Sequence, residues 1–174
     1  MEITTQRLYL CPFKMEDITP VYLEALNDTS VIGMTEARHQ SWNIESISAF
    51  IQVANSCSSI LFGVFLKENL KPIGNIRLFG IHPVHKRAEL SLLFYDKTQW
   101  GKGYGTEAVK AVVNFAFDEL KLHRVIADYY AINTGSSKLF EKAGFTREGI
   151  FKDHFKMPDG TFVDSIRIAI INKN

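Results

Sequence analysis

The hydrophobic pattern of this chain switches repeatedly between strand-like and helical spacing. Residues 4–13 read as a strand, ended by Pro12. Over 16–26 the period lengthens, and Ile18, Val21, Tyr22, Ala25 and Leu26 share one helical face. A polar, irregular stretch at 27–43 separates this helix from a second short one at 46–53. The apolar run 60–66 predicts a buried strand, and Glu68-Asn-Leu-Lys-Pro72 turns it into a hairpin partner at 73–79. A longer turn through His82 and Pro83 leads to a strand at 87–95. Further on, Ala108, Val109, Val112, Val113, Ala116 and Leu120 make a helical stripe, and 124–130 is strand-like. A helix at 136–142 is stopped by Gly144, and 145–156 and 162–171 form a hairpin around Met157-Pro-Asp-Gly160. The order β-α-α-β-β-β-α-β-α-β-β implies a mixed sheet with helices on both faces, an α/β (α+β) fold.

Between the strand at 87–95 and the stripe from Ala108 lies Gln99-Trp-Gly-Lys-Gly-Tyr-Gly-Thr-Glu-Ala108, with glycines at every second position. Glycine tolerates positive φ and lets another molecule approach the main chain. A glycine turn that empties into a helix start gathers free N–H groups and the positive end of the helix dipole at one spot, which suits a phosphate. The plainer alternative is a strand–helix turn with no ligand. Neither G-x-x-x-x-G-K-[ST] nor G-x-G-x-x-G is present, so a P-loop and a dinucleotide fingerprint both fail.

Composition narrows the choices. The chain has 174 residues, enough for a single domain spanning 1–174 with one substantial core. A net charge of +1 argues against a general nucleic-acid surface but leaves room for a local basic groove. No apolar run approaches the roughly 18 residues of a membrane span, and the charged amino-terminal strand does not read as a signal peptide, so the expected compartment is the cytoplasm. Cys11 and Cys57 have no metal or redox spacing and read as small buried apolar residues. His39, His82, His85, His123 and His154 lack metal-ligand spacing, so no metal is expected.

The glycine segment resembles the pyrophosphate loop Q/R-x-x-G-x-G/A of the GCN5-related N-acetyltransferases (GNAT), with Gly103-Tyr104-Gly105 as its glycine pair and Trp100 in place of the usual Gln or Arg. That tryptophan is typical of the RimJ/RimL-like branch, whose loop reads W-G-K-G-Y-[AG]-T-E-A. Asn133-Thr-Gly-Ser-Ser-Lys-Leu-Phe-Glu-Lys-Ala-Gly-Phe145 resembles the family's N-x-x-S-x-x-[LF]-x-[KR]-x-G-F. Thr5-Gln-Arg-Leu-Tyr-Leu-Cys-Pro12 with Glu16-Asp17 looks like the branch's opening T-x-R-L-x-L-R-P…E-D, and Arg147-Glu-Gly149 with Asp159-Gly-Thr-Phe-Val-Asp164 fits its close. The resemblance thus covers nearly the whole chain. It implies a mostly antiparallel central sheet of about seven strands and transfer of acetyl from acetyl-coenzyme A to an amine.

The resemblance also distributes roles. Backbone N–H groups of Trp100, Gly101, Lys102, Gly103, Tyr104, Gly105 and Thr106 would bind the pyrophosphate, and Leu92-Leu93-Phe94 would lie along the pantetheine arm where two strands splay. Glu89 matches the A-E-[LI]-G position and would receive the amine's proton, directly or through water; otherwise it is a strand carboxylate paired with Arg87 or Lys86. The Tyr that many members use as an acid is Phe140 here, so Ser136 is the substitute suggested, unless it only caps its helix. Asn133 would hold the coenzyme or acceptor, or cap the helix, and Lys138 would meet the nucleotide phosphates. The implied partner is a small-molecule or peptide amine, with a homodimer left open and neither nucleic acid nor membrane expected. The competing readings are transfer to a nucleotide-linked amino sugar, and a non-catalytic coenzyme-A-binding module. The acceptor pocket is expected from 27–43 and 151–161, which carry Glu36, Arg38, His39, Trp42, Lys152, Asp153, His154 and Lys156.

Overall fold

The computed structural model describes residues 1–173. Its elements are β1 (Ile3–Thr4), β2 (Leu8–Pro12), α1 (Pro20–Ala25), α2 (Thr29–Ile32), α3 (Ile44–Ala54), β3 (Ile60–Leu66), β4 (Pro72–His82), β5 (Arg87–Phe94), α4 (Tyr104–Asp118), β6 (Arg124–Tyr130), α5 (Thr134–Ala143), β7 (Thr146–Lys156) and β8 (Phe162–Ile171). The strands make one sheet ordered β1-β2-β3-β4-β5-β6-β8-β7. Every pairing is antiparallel except β5 with β6.

Eight strands stand where about seven were expected, because the opening segment folds back on itself. The Thr5 N–H donates to the Leu8 carbonyl at 2.9 Å, and the Thr5 hydroxyl accepts from the Leu8 N–H at 2.9 Å. This turn pairs Ile3 with Leu10 and splits the expected strand in two. The helix expected over 16–26 is also shorter. A 3₁₀ turn at Met15–Asp17 ends before Thr19, whose extended backbone (ψ 159°) suits the residue before Pro20. Thr19 then caps α1 by accepting from the Tyr22 N–H at 3.1 Å, and Val21 faces solvent. The stretch expected to be irregular holds α2, capped by Asp28, and a 3₁₀ turn at Glu36–His39.

Apolar residues lie on both faces of the sheet. In β3, Phe62 joins Val109, Val113, Val125 and Ile168 in the core beneath α4 and α5. Its neighbour Leu61 joins Phe13, Tyr22, Ile47 and Tyr95 beneath the early helices. Successive strand residues point to opposite faces, so a strand covered on both sides needs a continuous apolar run.

One irregularity in this sheet creates the site. Strands β5 and β6 pair only at Arg87–Arg124, Ala88–Val125 and Glu89–Ile126. Beyond Glu89 they diverge, while β5 stays paired with β4 as far as Phe94. The last part of β5 therefore has one bonded edge and one open edge.

Candidate active site

The chain leaves the open end of β5 through a 3₁₀ turn at Lys97–Gln99 and reaches α4 through two left-handed glycines, Gly101 (φ 76°) and Gly103 (φ 84°). Gly103 is the N-cap of α4, and the first intrahelical bond runs from the Glu107 N–H to its carbonyl at 3.1 Å. The N–H groups of Tyr104, Gly105 and Thr106 consequently lack intrahelical acceptors at the positive end of a 15-residue helix. Gly105 serves a different end: a Cβ there would lie 2.5 Å from Leu139 Cδ1, so the glycine lets α5 close on α4. Trp100 ties the turn to β5, its indole N–H donating to the Phe94 carbonyl at 2.7 Å.

The turn opens into a cavity of about 1520 Å³ that crosses the splayed strands. Leu92, Leu93, Phe94, Trp100, Gly101, Gly103, Tyr104, Gly105, Thr106, Asn133, Ser136 and Lys138 all line it. Lys102 does not; its amine donates to Gln99 Oε1 at 3.0 Å and its carbonyl accepts from Arg7 at 3.0 Å. Of the two capping alternatives on α5, the cap is Asn133, whose Oδ1 accepts the Ser136 N–H at 3.0 Å. The Ser136 hydroxyl makes no hydrogen bond among the described residues. Phe140 is buried in the core and stacks on Tyr129 at 6.2 Å, while the Tyr129 hydroxyl donates to Ser137 Oγ at 3.3 Å.

Glu89 is not among the lining residues. It lies opposite Phe79 and Ile126, at the still-paired base of the strands, with Oε1 3.9 Å from the Cβ position of Gly80. It makes no ion pair with Arg87 or Lys86. It does share a sheet face with Ser91, which lines the cavity two residues further along.

At its far end the cavity is walled by the 27–43 segment and the final hairpin. Glu36, His39, Trp42 and His154 line it; Arg38, Lys152, Asp153 and Lys156 do not. Arg38 binds the two walls together, donating to the Gly33 carbonyl at 3.0 Å and the Lys156 carbonyl at 2.7 Å, with its guanidinium 5.0 Å from the Tyr130 ring centre. The Tyr130 hydroxyl donates to Glu36 Oε1 at 2.5 Å; burial and then this bond push its phenol upward. Arg167 grips Asp128 with two bonds, at 2.9 and 2.7 Å. Tyr22, pushed up to about 12 by burial, accepts from Asn75 Nδ2 at 2.9 Å. The sequence reading missed Tyr22, Asn75, Arg77, Asp128, Tyr129 and Arg167 as lining residues. Their facing follows from sheet order and register, which local periodicity does not carry.

The family described as Acetyltransferase (GNAT) domain matches residues 7–146. The chain belongs to the GNAT acetyltransferases. This GNAT chain is similar to two Bacillus subtilis proteins. It is 41% identical to the probable N-acetyltransferase YjcK over 64% of the chain and 61% of that protein. It is 33% identical to the uncharacterized N-acetyltransferase YnaD over 87% of the chain and 86% of that protein. A GNAT-family acetyltransferase from Bacillus anthracis superposes over 100% of both chains with a TM-score of 0.82 and 27% identity. The spermidine N-acetyltransferase of Vibrio cholerae, solved with CoA and spermine, shares the fold at a TM-score of 0.83 and 19% identity, covering 96% of each chain.

Neither cysteine lines the cavity, and the expectation that both are buried needs correcting: Cys57 is exposed in the polar turn Ser56-Cys57-Ser58, and Cys11 is half-buried. Among the described residues no helix is long and apolar enough to cross a membrane, and no group of three or more His, Cys, Asp or Glu side chains is arranged to hold a metal ion.

Proposed function

We propose that this chain transfers an acetyl group from acetyl-coenzyme A to a primary amine by direct attack, without an acetyl-enzyme. The observation that carries the reading is one continuous cavity joining three parts: the glycine-turned start of α4, the open edge of β5, and a polar, aromatic compartment beyond. The coenzyme supplies the acetyl group as a thioester.

The chain's residues fit that substrate. The left-handed glycines and the first-turn N–H groups of α4 offer donors for the pyrophosphate, and no Cβ occupies the space beside Gly101. Lys138, exposed on α5 and facing the same cavity, meets the nucleotide phosphates. The unpaired edge of Leu92–Phe94 receives the pantetheine arm, and a main-chain N–H there donates to the thioester oxygen, worth about 3 kcal/mol when aligned. The free hydroxyl of Ser136, which lines the same cavity, would hydrogen-bond the sulfur or the coenzyme. The amine loses its proton to Glu89 through water, since Glu89 stands outside the lining. Trp100 in the loop and the Thr5–Arg7 opening support assignment to the RimJ/RimL-like branch.

The test is calorimetry with acetyl-coenzyme A followed by free-thiol release across an amine panel. Binding that strengthens the melting transition, with thiol release that requires an amine, is the expected result. No binding, or thiol release that is independent of amine, overturns the proposal.

A further inference from the structure

Arg77 is a half-buried cation in the cavity wall with no ion-pair partner among the described residues. Its neighbours hold it still. Nε donates to Ser59 Oγ at 2.9 Å, and Ser59, itself buried, donates to the Ala54 carbonyl at 2.7 Å. The rings of Phe50 and Phe79 flank the guanidinium at 5.5 and 5.2 Å. The two terminal nitrogens make no hydrogen bond among the described residues. Burial alone perturbs this group, pushing its pKa down, with no carboxylate near enough to offset the effect. A cation held this way is costly unless an anion completes it, and a guanidinium fork matches a carboxylate.

Its position says whose anion that would be. Arg77 pairs with Ser91 across β4 and β5, while Leu93, in the segment assigned to the pantetheine arm, pairs with Asn75. Two strand residues, roughly 7 Å, separate these pairs on one sheet face. The coenzyme's phosphates are assigned beyond Phe94, in the opposite direction. Neither carboxylate lining the cavity reaches Arg77: Asp128 is paired with Arg167, and Glu36, which keeps its charge, accepts from Tyr130. Glu89, diagonally across from Arg77, lies toward Gly80 and forms no ion pair with it. An anionic acceptor therefore finds in this wall a guanidinium with no counter-charge among the described residues.

We propose that Arg77 selects the acceptor by binding the carboxylate of an amine that carries one, such as an amino acid or a short peptide. This rests on the acetyl-transfer reading above. The test follows thiol release from acetyl-coenzyme A with amino acids and dipeptides as free acids, the same compounds as C-terminal amides, spermidine, and glucosamine 6-phosphate. Free acids should exceed their amides at least ten-fold in kcat/KM. Arg77→Gln should erase that preference through KM and Arg77→Lys, which keeps the charge but not the fork, should retain part of it, with acetyl-coenzyme A affinity by calorimetry unchanged in both. The acid–amide comparison in the unaltered protein stands even if a variant fails to fold. Equal rates for acids and amides, or preference for spermidine or the amino-sugar phosphate, overturns this inference alone. Coenzyme binding with no turnover of any amine overturns the acetyl-transfer reading and this one with it.

Discussion

The Arg7 guanidinium and the Glu107 carboxylate join segments one hundred positions apart, and they do so beneath the glycine turn. Arg7 Nε donates to Glu107 Oε2 at 2.7 Å, and its main-chain N–H and the Thr5 hydroxyl both donate to Oε1, at 2.9 and 2.6 Å. Arg7 Nη1 then reaches the Lys102 carbonyl at 3.0 Å, and the guanidinium lies 4.5 Å from the Tyr104 ring centre. The β1–β2 turn is therefore a brace for the loop that presents the α4 N–H groups.

Cutting the brace should loosen the loop. Arg7→Ala leaves Glu107 with fewer donors and the Lys102 carbonyl unbonded. The expected loss of stability is about 1–2 kcal/mol, because charge-assisted bonds exceed neutral ones but this pair is partly solvated. Acetyl-coenzyme A affinity should weaken several-fold in the same variant. Thermal melts and calorimetry check both, and unchanged affinity in a destabilised variant would limit the brace to folding.

The same contact predicts an acid dependence. Burial draws Glu107 upward, but the bonds from Thr5 and Arg7 outweigh it and hold its carboxyl below the usual range. A carboxylate depressed in the folded state contributes stability that is present above its unfolded pKa, about 4.3, and lost as pH falls through the folded value. Stability should therefore drop below about pH 4.3, and Glu107→Gln should flatten that part of the curve relative to the parent chain. Parallel curves for the two proteins in acid-titrated melts would remove Glu107 as the source.

The two glycines of the Gly103-Tyr104-Gly105 pair should fail differently. Gly103 has φ 84°, and alanine there costs about 1–2 kcal/mol of backbone strain whatever the space. Gly105 is constrained by its neighbour instead: a methyl group would sit 2.5 Å from Leu139 Cδ1. Leu139→Ala should then rescue Gly105→Ala in melting temperature and acetyl-coenzyme A binding, and should leave Gly103→Ala unrescued. A double-mutant cycle reads this coupling directly. Additive losses for Gly105 and Leu139 would mean that the glycine acts on the ligand side.

Much of this was legible in the sequence. The run around Phe62 announced a strand covered on both faces, and the glycines around Gly103 announced a helix start with free donors. Both are local signals, carried by residues adjacent in the chain. What stayed hidden depends on pairing across the sheet. Thr5 looked like part of a continuous strand because nothing local shows its hydroxyl closing a turn with Leu8. Arg77 and Ser91 were ordinary strand positions until register set them opposite each other on the cavity side. Asp128 and Arg167 are paired by β6–β8 register alone. Glu89 was chosen by its motif, and the divergence of β5 from β6 begins only after it, which leaves it at the base of the cleft.

That position makes Glu89 the sharpest test of the chemistry. If it takes the amine's proton, water must bridge the interval to the Ser91 part of the cavity. Glu89→Gln keeps the side chain's size and removes its basic site, without touching the glycine turn. General-base steps are worth about 10²–10⁴-fold, so kcat with a true amine acceptor should fall by about that factor. Acetyl-coenzyme A affinity should change little, because no contact of Glu89 reaches the loop. If instead the variant keeps its rate, Glu89 is a structural carboxylate near Arg167, whose guanidinium is held charged by Asp128 first and by Glu89 after it. The proton must then leave by another route, and Asp128 is a poor candidate while Arg167 occupies both of its oxygens.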